Sequence, residues 1–264
     1  MRQLLFITCL FLTFNAVAQT EAYQKKTYST RAGQTLPYRI LYPKNYDRSV
    51  GPSAQRDKYP LILMLHGSGE RGTDNEKQLV HGSKLFLQDD IRTKFPAIVV
   101  FPQCPQESSW MSLKREGTGQ QSWSGHYAKQ PNWPLGAVLS LVKQLRKTER
   151  IDKKRLYIMG LSMGGFGTIE AISRKPKVFA AALPICGGGD TTLCRRYARR
   201  MPLWVFHGDA DKSVPVELSR QLVTKLQSLN ADVQYTEYQG VGHNSWDNAF
   251  ADPTLIPWMM EKKK

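Results

Sequence analysis

Gly160-Leu161-Ser162-Met163-Gly164 sets a serine between two glycines, directly after an apolar run at 156–159 and directly before a helical pattern. A hydroxyl on a tight strand-to-helix turn stands clear of the sheet beneath it, and flanking glycines relieve the crowding of that turn. The helix that follows points its N-terminus at the same place, which favours negative charge there. A serine hydroxyl is a weak nucleophile alone and needs a base within hydrogen-bond reach, itself oriented by a third group. Both lie further along the chain. His207-Gly208-Asp209-Ala210-Asp211-Lys212-Ser213-Val214-Pro215 follows an apolar run at 203–206, and Gly240-Val241-Gly242-His243-Asn244-Ser245-Trp246 follows the run at 233–238. Serine, then acid, then histidine, each past the end of a strand-like run, is the order expected of acyl-transfer chemistry on an α/β sheet. Ser162 is the expected nucleophile, His243 its base and Asp211 the orienting carboxylate, with Asp209 and the more distant Asp190 as other acids.

Attack on a carbonyl leaves a developing oxyanion, and two preorganised N–H donors must meet it. The backbone of Met163, next after the nucleophile, is one. The other belongs to the loop His66-Gly67-Ser68-Gly69-Glu70-Arg71-Gly72 after an earlier apolar run, with Ser68 the first choice and Gly69 the second. The same loop matches a Gly-x-Gly-x-x-Gly dinucleotide fingerprint, but the acids that would hold a ribose, Asp89-Asp90, precede the next apolar run instead of ending it. The match therefore carries no nucleotide site. Trp110 and Trp123 in a long polar segment, and Trp246 three residues past His243, offer aromatic faces for an aromatic acyl group or a sugar; packing under a cap is the alternative. His66 and His207 end apolar runs beside glycine and read as structural, while His81 and His126 lie in polar, solvated stretches.

Positioning these groups requires strands and helices in alternation. Short apolar runs at 61–65, 97–101, 156–159, 180–185 and 203–206, with 233–238 completing the set, fit strands covered on both faces, and 36–42 alternates in the manner of a half-buried strand. Helical spacing appears at 135–145, 164–173 and 216–229. This alternation predicts an α/β class protein with a mostly parallel sheet and helices on both faces. The segment 103–134 breaks the rhythm and reads as a long cap-like loop.

The chain of 264 residues suffices for one domain. Its first residues stand apart: Met1-Arg2, an apolar run at 4–14, then Ala16-Val17-Ala18, the pattern of a signal peptide cut before Gln19. The expectation is an exported protein whose domain spans 19–264, without stable membrane insertion once the signal is gone. Cys104, Cys186 and Cys194 remain; Cys186 and Cys194 could bridge, or all three could be buried thiols. No spacing supports zinc, and the proposed chemistry needs no cofactor. The net charge of +15 raises nucleic acid as a partner. The basic residues are scattered in small groups without interleaved aromatics, so a basic surface suited to acidic polymers or a cell surface is the reading made instead.

The segments HGDADKSVP and GVGHNSW resemble the acid and histidine loops of α/β-hydrolases related to dienelactone hydrolases and secreted carboxylesterases. HGSGERG and PQCPQESSW are similar to an esterase or peptidase group of that superfamily, and the likeness runs from about residue 61 to 258. The resemblance implies the α/β-hydrolase fold and selects Asp211 over Asp209 as the acid. It also implies that Glu70 and Arg71 pair to brace the oxyanion loop. The substrate it implies is a carboxylic ester, a small molecule or a feruloyl or acetyl ester of polysaccharide. A small-peptide serine peptidase and a catalytically silent binding protein are the competing readings. Oligomeric state is left open.

Overall fold

The computed structural model describes residues 21–264 apart from residues 48, 53–57 and 114–124. The expected signal segment and Trp123 lie outside the described residues. Eight strands form one sheet in the order β1-β2-β4-β3-β5-β6-β7-β8, with β1 (Gln24–Ser29) and β2 (Thr35–Leu41) antiparallel and the rest parallel. The parallel strands are β3 (Tyr59–Leu65), β4 (Ile98–Pro102), β5 (Ile151–Leu161), β6 (Ala181–Ile185), β7 (Leu203–Gly208) and β8 (Val233–Tyr238).

The central strands read as unbroken apolar runs because each is covered twice. Leu61, Leu63 and Leu65 of β3 enter one core together with Leu135, Val138 and Leu222. Ile62 and Met64 enter the other, with Leu255, Ile256 and Met259. The first core lies under the helices α2 (Trp133–Thr148) and α4 (Glu217–Ser228), and the second under α5 (Ser245–Ala251) and α6 (Leu255–Glu261). The nucleophile's helix, α3 (Met163–Arg174), is buried along most of its length. A further helix, α1 (Asp89–Lys94), precedes β4.

The expected parallel α/β architecture is therefore present, with additions. β5 begins five residues earlier than its apolar run, since Asp152, Lys153, Lys154 and Arg155 extend it toward solvent. β1 is a polar edge strand whose exposed positions gave no apolar alternation. Cys104, Cys186 and Cys194 are all free and buried, so of the two alternatives the thiols hold and the Cys186–Cys194 bridge does not form.

The long segment 103–134 is fastened at both ends by one buried ion pair. Glu170 on α3 has no exposed surface and accepts from Ser112 N–H at 2.6 Å, Ser112 Oγ at 2.7 Å and Arg174 Nε at 2.8 Å. Arg174 in turn donates to the carbonyls of Ala128, at 2.7 Å, and Lys129, at 3.2 Å. A buried carboxylate is tolerated only when paired and hydrogen-bonded, and this one is both. Glu170→Ala strands the guanidinium and the Ser112 N–H together. We expect it to lose about 3 kcal/mol in urea unfolding; an unchanged midpoint would show that the clamp carries no stability.

Candidate active site

Ser162 occupies the turn between β5 and α3 with φ 53° and ψ −119°, a left-handed conformation that a side chain rarely adopts. Its N–H donates to Ile185 O at 2.9 Å, tying the turn to β6. The turn closes because Gly164 lies against the neighbouring strand: a Cβ there would meet Leu65 O at 2.0 Å, a backbone atom that cannot rotate away. Met163 N–H, in the first turn of α3, has no acceptor within the helix.

Asp211 and His243 arrive on the loops after β7 and β8. These loops approach through Gly208, where a Cβ would meet Val241 O at 2.2 Å. The structure brings the three sequence-predicted residues into one line: Ser162 Oγ lies 3.0 Å from His243 Nε2, and His243 Nδ1 lies 2.7 Å from Asp211 Oδ2. Because the carboxylate can only accept, Nδ1 carries the proton and Nε2 is free to receive the serine's. The Asp211 side chain is fully buried, while His243 keeps a quarter of its side-chain surface exposed at 26%. Burial alone would raise the Asp211 pKa. Hydrogen bonds from His207 and His243 and from the Val214 and Ser213 N–H groups outweigh it and hold the carboxyl well below its usual range. Asp209 is exposed and instead accepts from Gly240 N–H at 2.7 Å, a link between the two loops. Asp190 accepts from Thr192 N–H at 3.0 Å and pairs with His126 at 3.1 Å, apart from the triad.

The loop after β3 packs beside the serine. A Cβ on Gly67 would stand 2.9 Å from Leu161 Cδ1 and 3.7 Å from Ser162 Cβ. Residues Ser68–Glu70 form one 3-10 turn whose first N–H groups, Ser68 and Gly69, have no acceptor within it. His66 latches this loop, its Nδ1 2.6 Å from Gly67 O and its Nε2 accepting from Cys104 N–H at 2.9 Å. Burial pushes His66 down to about 4, so it stays neutral in that role.

Three expectations need correction. Trp110 has no exposed surface; its indole N–H donates to His66 O at 3.1 Å and its ring packs on the His66 ring, so it supports the oxyanion loop from below and cannot touch substrate. Glu70 and Arg71 do not pair. Arg71 alone braces the loop, through Ser68 O at 3.0 Å and Gln106 O at 3.0 Å, whereas Glu70 faces His81 at 3.7 Å. His81 is not freely solvated: its ring lies 5.1 Å from that of Trp246, which meets the His243 ring edge-on at 5.2 Å. Trp246 is half-buried at the side of the His243 imidazole.

His207 has a contact that its place at a strand end did not signal. It is fully buried, with Nε2 3.0 Å from Val214 O and 3.2 Å from Asp211 Oδ2, and Nδ1 2.7 Å from Ser219 Oγ. Both Nε2 neighbours are acceptors, so Nε2 carries a proton and Asp211 accepts from two histidines. Cys186, with φ 39°, completes the floor. Its Sγ, Asp211 and His243 place ligand-type atoms within 4.8 Å of one another. Burial pushes the thiol up to about 12, and the other two groups already bind each other, so this trio fits a packed hydrogen-bonded floor better than a cation site.

A twisted, mostly parallel sheet with a strained serine beyond its central strand, faced by a histidine and an acid from the next loops, defines the α/β-hydrolase class. Within that class the chain belongs to the phospholipase/carboxylesterase family, whose sequence profile matches residues 48–253. It is 29% identical over 160 residues to a bifunctional acetylxylan esterase/xylanase of Neocallimastix patriciarum, covering 61% of this chain and 20% of that protein. Over 205 residues it is 28% identical to a probable carboxylesterase of Arabidopsis thaliana, covering 70% and 72%. A thermostable esterase of known structure superposes with a TM-score of 0.83 at 38% identity, covering 94% of this chain and 64% of that one. The chain thus spans a fifth of the fungal protein and under two thirds of the thermostable esterase.

An unfolded histidine takes up a proton below about pH 6.5, which folded His66 refuses until about pH 4. The stability this confers is complete above the unfolded pKa and lost as pH falls toward the folded one, by up to roughly 3 kcal/mol. Urea midpoints taken at about pH 7 and about pH 4.5 should therefore converge between wild type and His66→Gln; parallel curves would contradict this. For His207, replacement by Leu removes a donor from Asp211 and leaves the carboxylate a stronger acceptor for His243. The acid limb of the pH–rate profile should move to higher pH, with about 2 kcal/mol lost in stability, and His207→Gln should restore the limb. An unmoved limb in His207→Leu would make the contact purely architectural.

Proposed function

We propose that the protein is an exported serine hydrolase that cleaves carboxylic esters through an acyl-enzyme, with acetyl or feruloyl groups on polysaccharide as its substrate class. The observation that carries the reading is the line from Ser162 Oγ through His243 to buried Asp211, at 3.0 and 2.7 Å. In the first step Ser162 Oγ attacks the ester carbonyl carbon and its proton passes to His243 Nε2. Asp211 holds the imidazole in the competent tautomer and stabilises the imidazolium. The carbonyl oxygen becomes an oxyanion that accepts from Met163 N–H and Ser68 N–H. The intermediate collapses, the alcohol leaves with the proton from His243, and water repeats the sequence to release the acid.

Supporting the ester class are the family assignment and the likeness to carboxylesterases. Supporting acyl groups on polysaccharide is the likeness to a protein named for acetylxylan esterase activity. Trp246, half-buried against His243, supplies a rigid face for a sugar or an aromatic acid. Export rests on residues 1–18, and among the described residues no helix is long and apolar enough to cross a membrane.

The test is turnover of p-nitrophenyl acetate, methyl ferulate, acetylated xylan and a chromogenic prolyl peptide, with Ser162→Ala as control. Ester turnover should fall by about 10⁴-fold or more in the variant while its melting temperature holds. Turnover of the peptide alone would make the protein a peptidase. Silence across the panel, with no labelling of Ser162 by a fluorophosphonate, would end the catalytic reading.

A further inference from the structure

Away from the triad, the hairpin turn between β1 and β2 and the outer face of α2 enclose an open depression of about 780 Å³. Arg31 comes from the turn, and Lys143 and Lys147 lie four residues apart on the helix, one turn of the same face. All three are exposed, and among the described residues their side chains make no ion pair or hydrogen bond and no carboxylate lines the depression. Like charges at that helical spacing repel. Surfaces ordinarily intersperse opposite signs, so three cations facing one hollow without an acid concentrate positive potential there.

The rest of the lining is not that of a bare charged patch. Tyr28 and Trp133 are half-buried against the core, leaving fixed aromatic surface in the hollow. Gln34, Gln144 and Ser140 are exposed beside them with amide and hydroxyl groups. Lys147 also borders a second depression of about 550 Å³, where Lys58, Lys153 and Lys154 add further cations. The two acids there are engaged elsewhere: Glu149 accepts from Tyr42 and Tyr46 hydroxyls, and Asp152 binds Arg155 at 2.7 Å. Positive charge thus runs along α2 from one hollow into the next, a track suited to an extended ligand.

We propose that this track is a secondary binding site for an acidic polysaccharide, a chain of pyranose rings bearing carboxylates. The cations meet the carboxylates, Arg31 with its planar two-pronged donor face. Trp133 and Tyr28 stack on the apolar faces of the sugar rings, and the amides and hydroxyl pair with ring hydroxyls. The site holds a polymer on the protein surface and performs no chemistry. The ligand's identity as a polysaccharide rests on the proposed ester function, while the binding itself is measured separately from turnover.

The experiment uses the mature protein carrying Ser162→Ala, so that nothing is consumed, in native gels containing polygalacturonate, neutral arabinoxylan or neither. Polygalacturonate should retard the protein and arabinoxylan should not. Arg31→Glu/Lys143→Glu/Lys147→Glu should weaken retardation at least about tenfold, since three charge-assisted contacts are lost. Arg195→Glu/Arg196→Glu/Arg199→Glu, an equal change in net charge elsewhere on the surface, should leave it within about threefold. The same groove variant with Ser162 intact should melt normally and turn over p-nitrophenyl acetate at the wild-type rate. Equal losses in both charge-reversed variants would reduce the effect to net charge and overturn the site. Duplex DNA competing more strongly than polygalacturonate through the same three residues would make the track a nucleic-acid surface and overturn the ligand. Specific retardation without ester turnover in the Ser162 protein would sink only the catalytic reading; turnover without retardation would sink only this one.

Discussion

Everything at the active site depends on one backbone contact, the seating of Gly164 against the carbonyl of Leu65. A serine at φ 53° is strained, and strain persists only where the surroundings leave no cheaper arrangement. Here α3 must begin immediately beyond β5 and lie across the end of β3, which it can do only if its second residue has no side chain. The helix then starts at Met163, its first N–H groups are directed at the site, and Ser162 is lifted clear of the sheet. The loop after β3 is pressed against the same point through Gly67. The placement of Ser162 and of the proposed oxyanion donors therefore follows from a single packing event between two adjacent parallel strands and one helix.

The acid poses the opposite problem, a charge that must be buried to orient a base yet remain ionised. Desolvation is the largest influence on Asp211 and acts against ionisation. Four donors reverse it: two backbone N–H groups from its own turn at 2.8 and 2.9 Å, His243, and His207 from the preceding strand. Part of that compensation comes from outside the triad. His207 itself is fixed by Ser219 on α4, so the position of the carboxylate is registered against a helix and a strand as well as its own loop.

Chemistry that follows chain order was legible in the sequence, because a nucleophile, an acid and a base at successive strand ends are local signals read one at a time. The central parallel strands β3 to β7 were legible for the same reason, their burial on two faces leaving apolar runs, whereas the edge strand β8 is only partly buried. What was not legible depends on partners distant in sequence. Trp110 sits among polar residues and resembles an exposed platform, yet His66 O, 44 residues away, satisfies its N–H and lets the ring be buried. Glu70 and Arg71 are neighbours of opposite charge, but Glu70 ends the 3-10 turn while Arg71 leaves it in an extended conformation, so the two side chains diverge and each finds another partner. β1 is mostly polar, with only Tyr28 set against the core, because it closes the edge of the sheet, where burial imposes little pattern. The first half of β5, turned toward solvent, carries no apolar run for a similar reason.

Five histidines are present and only one is equipped to act as a base, a selection made entirely by surroundings. His66 is held neutral by burial, and both its nitrogens are taken, one by a carbonyl and one by an N–H. His207 has Nε2 turned to two acceptors and Nδ1 to a hydroxyl, which leaves no lone pair facing solvent. His81 packs at a tilt against Trp246 and faces Glu70, and His126 is paired with Asp190. His243 alone has one nitrogen tied to a carboxylate and the other open toward a hydroxyl, with enough exposure for a substrate to reach it. A general base is thus defined by an asymmetry, full satisfaction at one nitrogen and deliberate vacancy of partners other than the nucleophile at the other. The same asymmetry explains why Trp246 matters beyond any contact with substrate. Its ring, edge-on at 5.2 Å, closes one side of the imidazole without competing for either nitrogen, so the side chain keeps its orientation while its lone pair stays free.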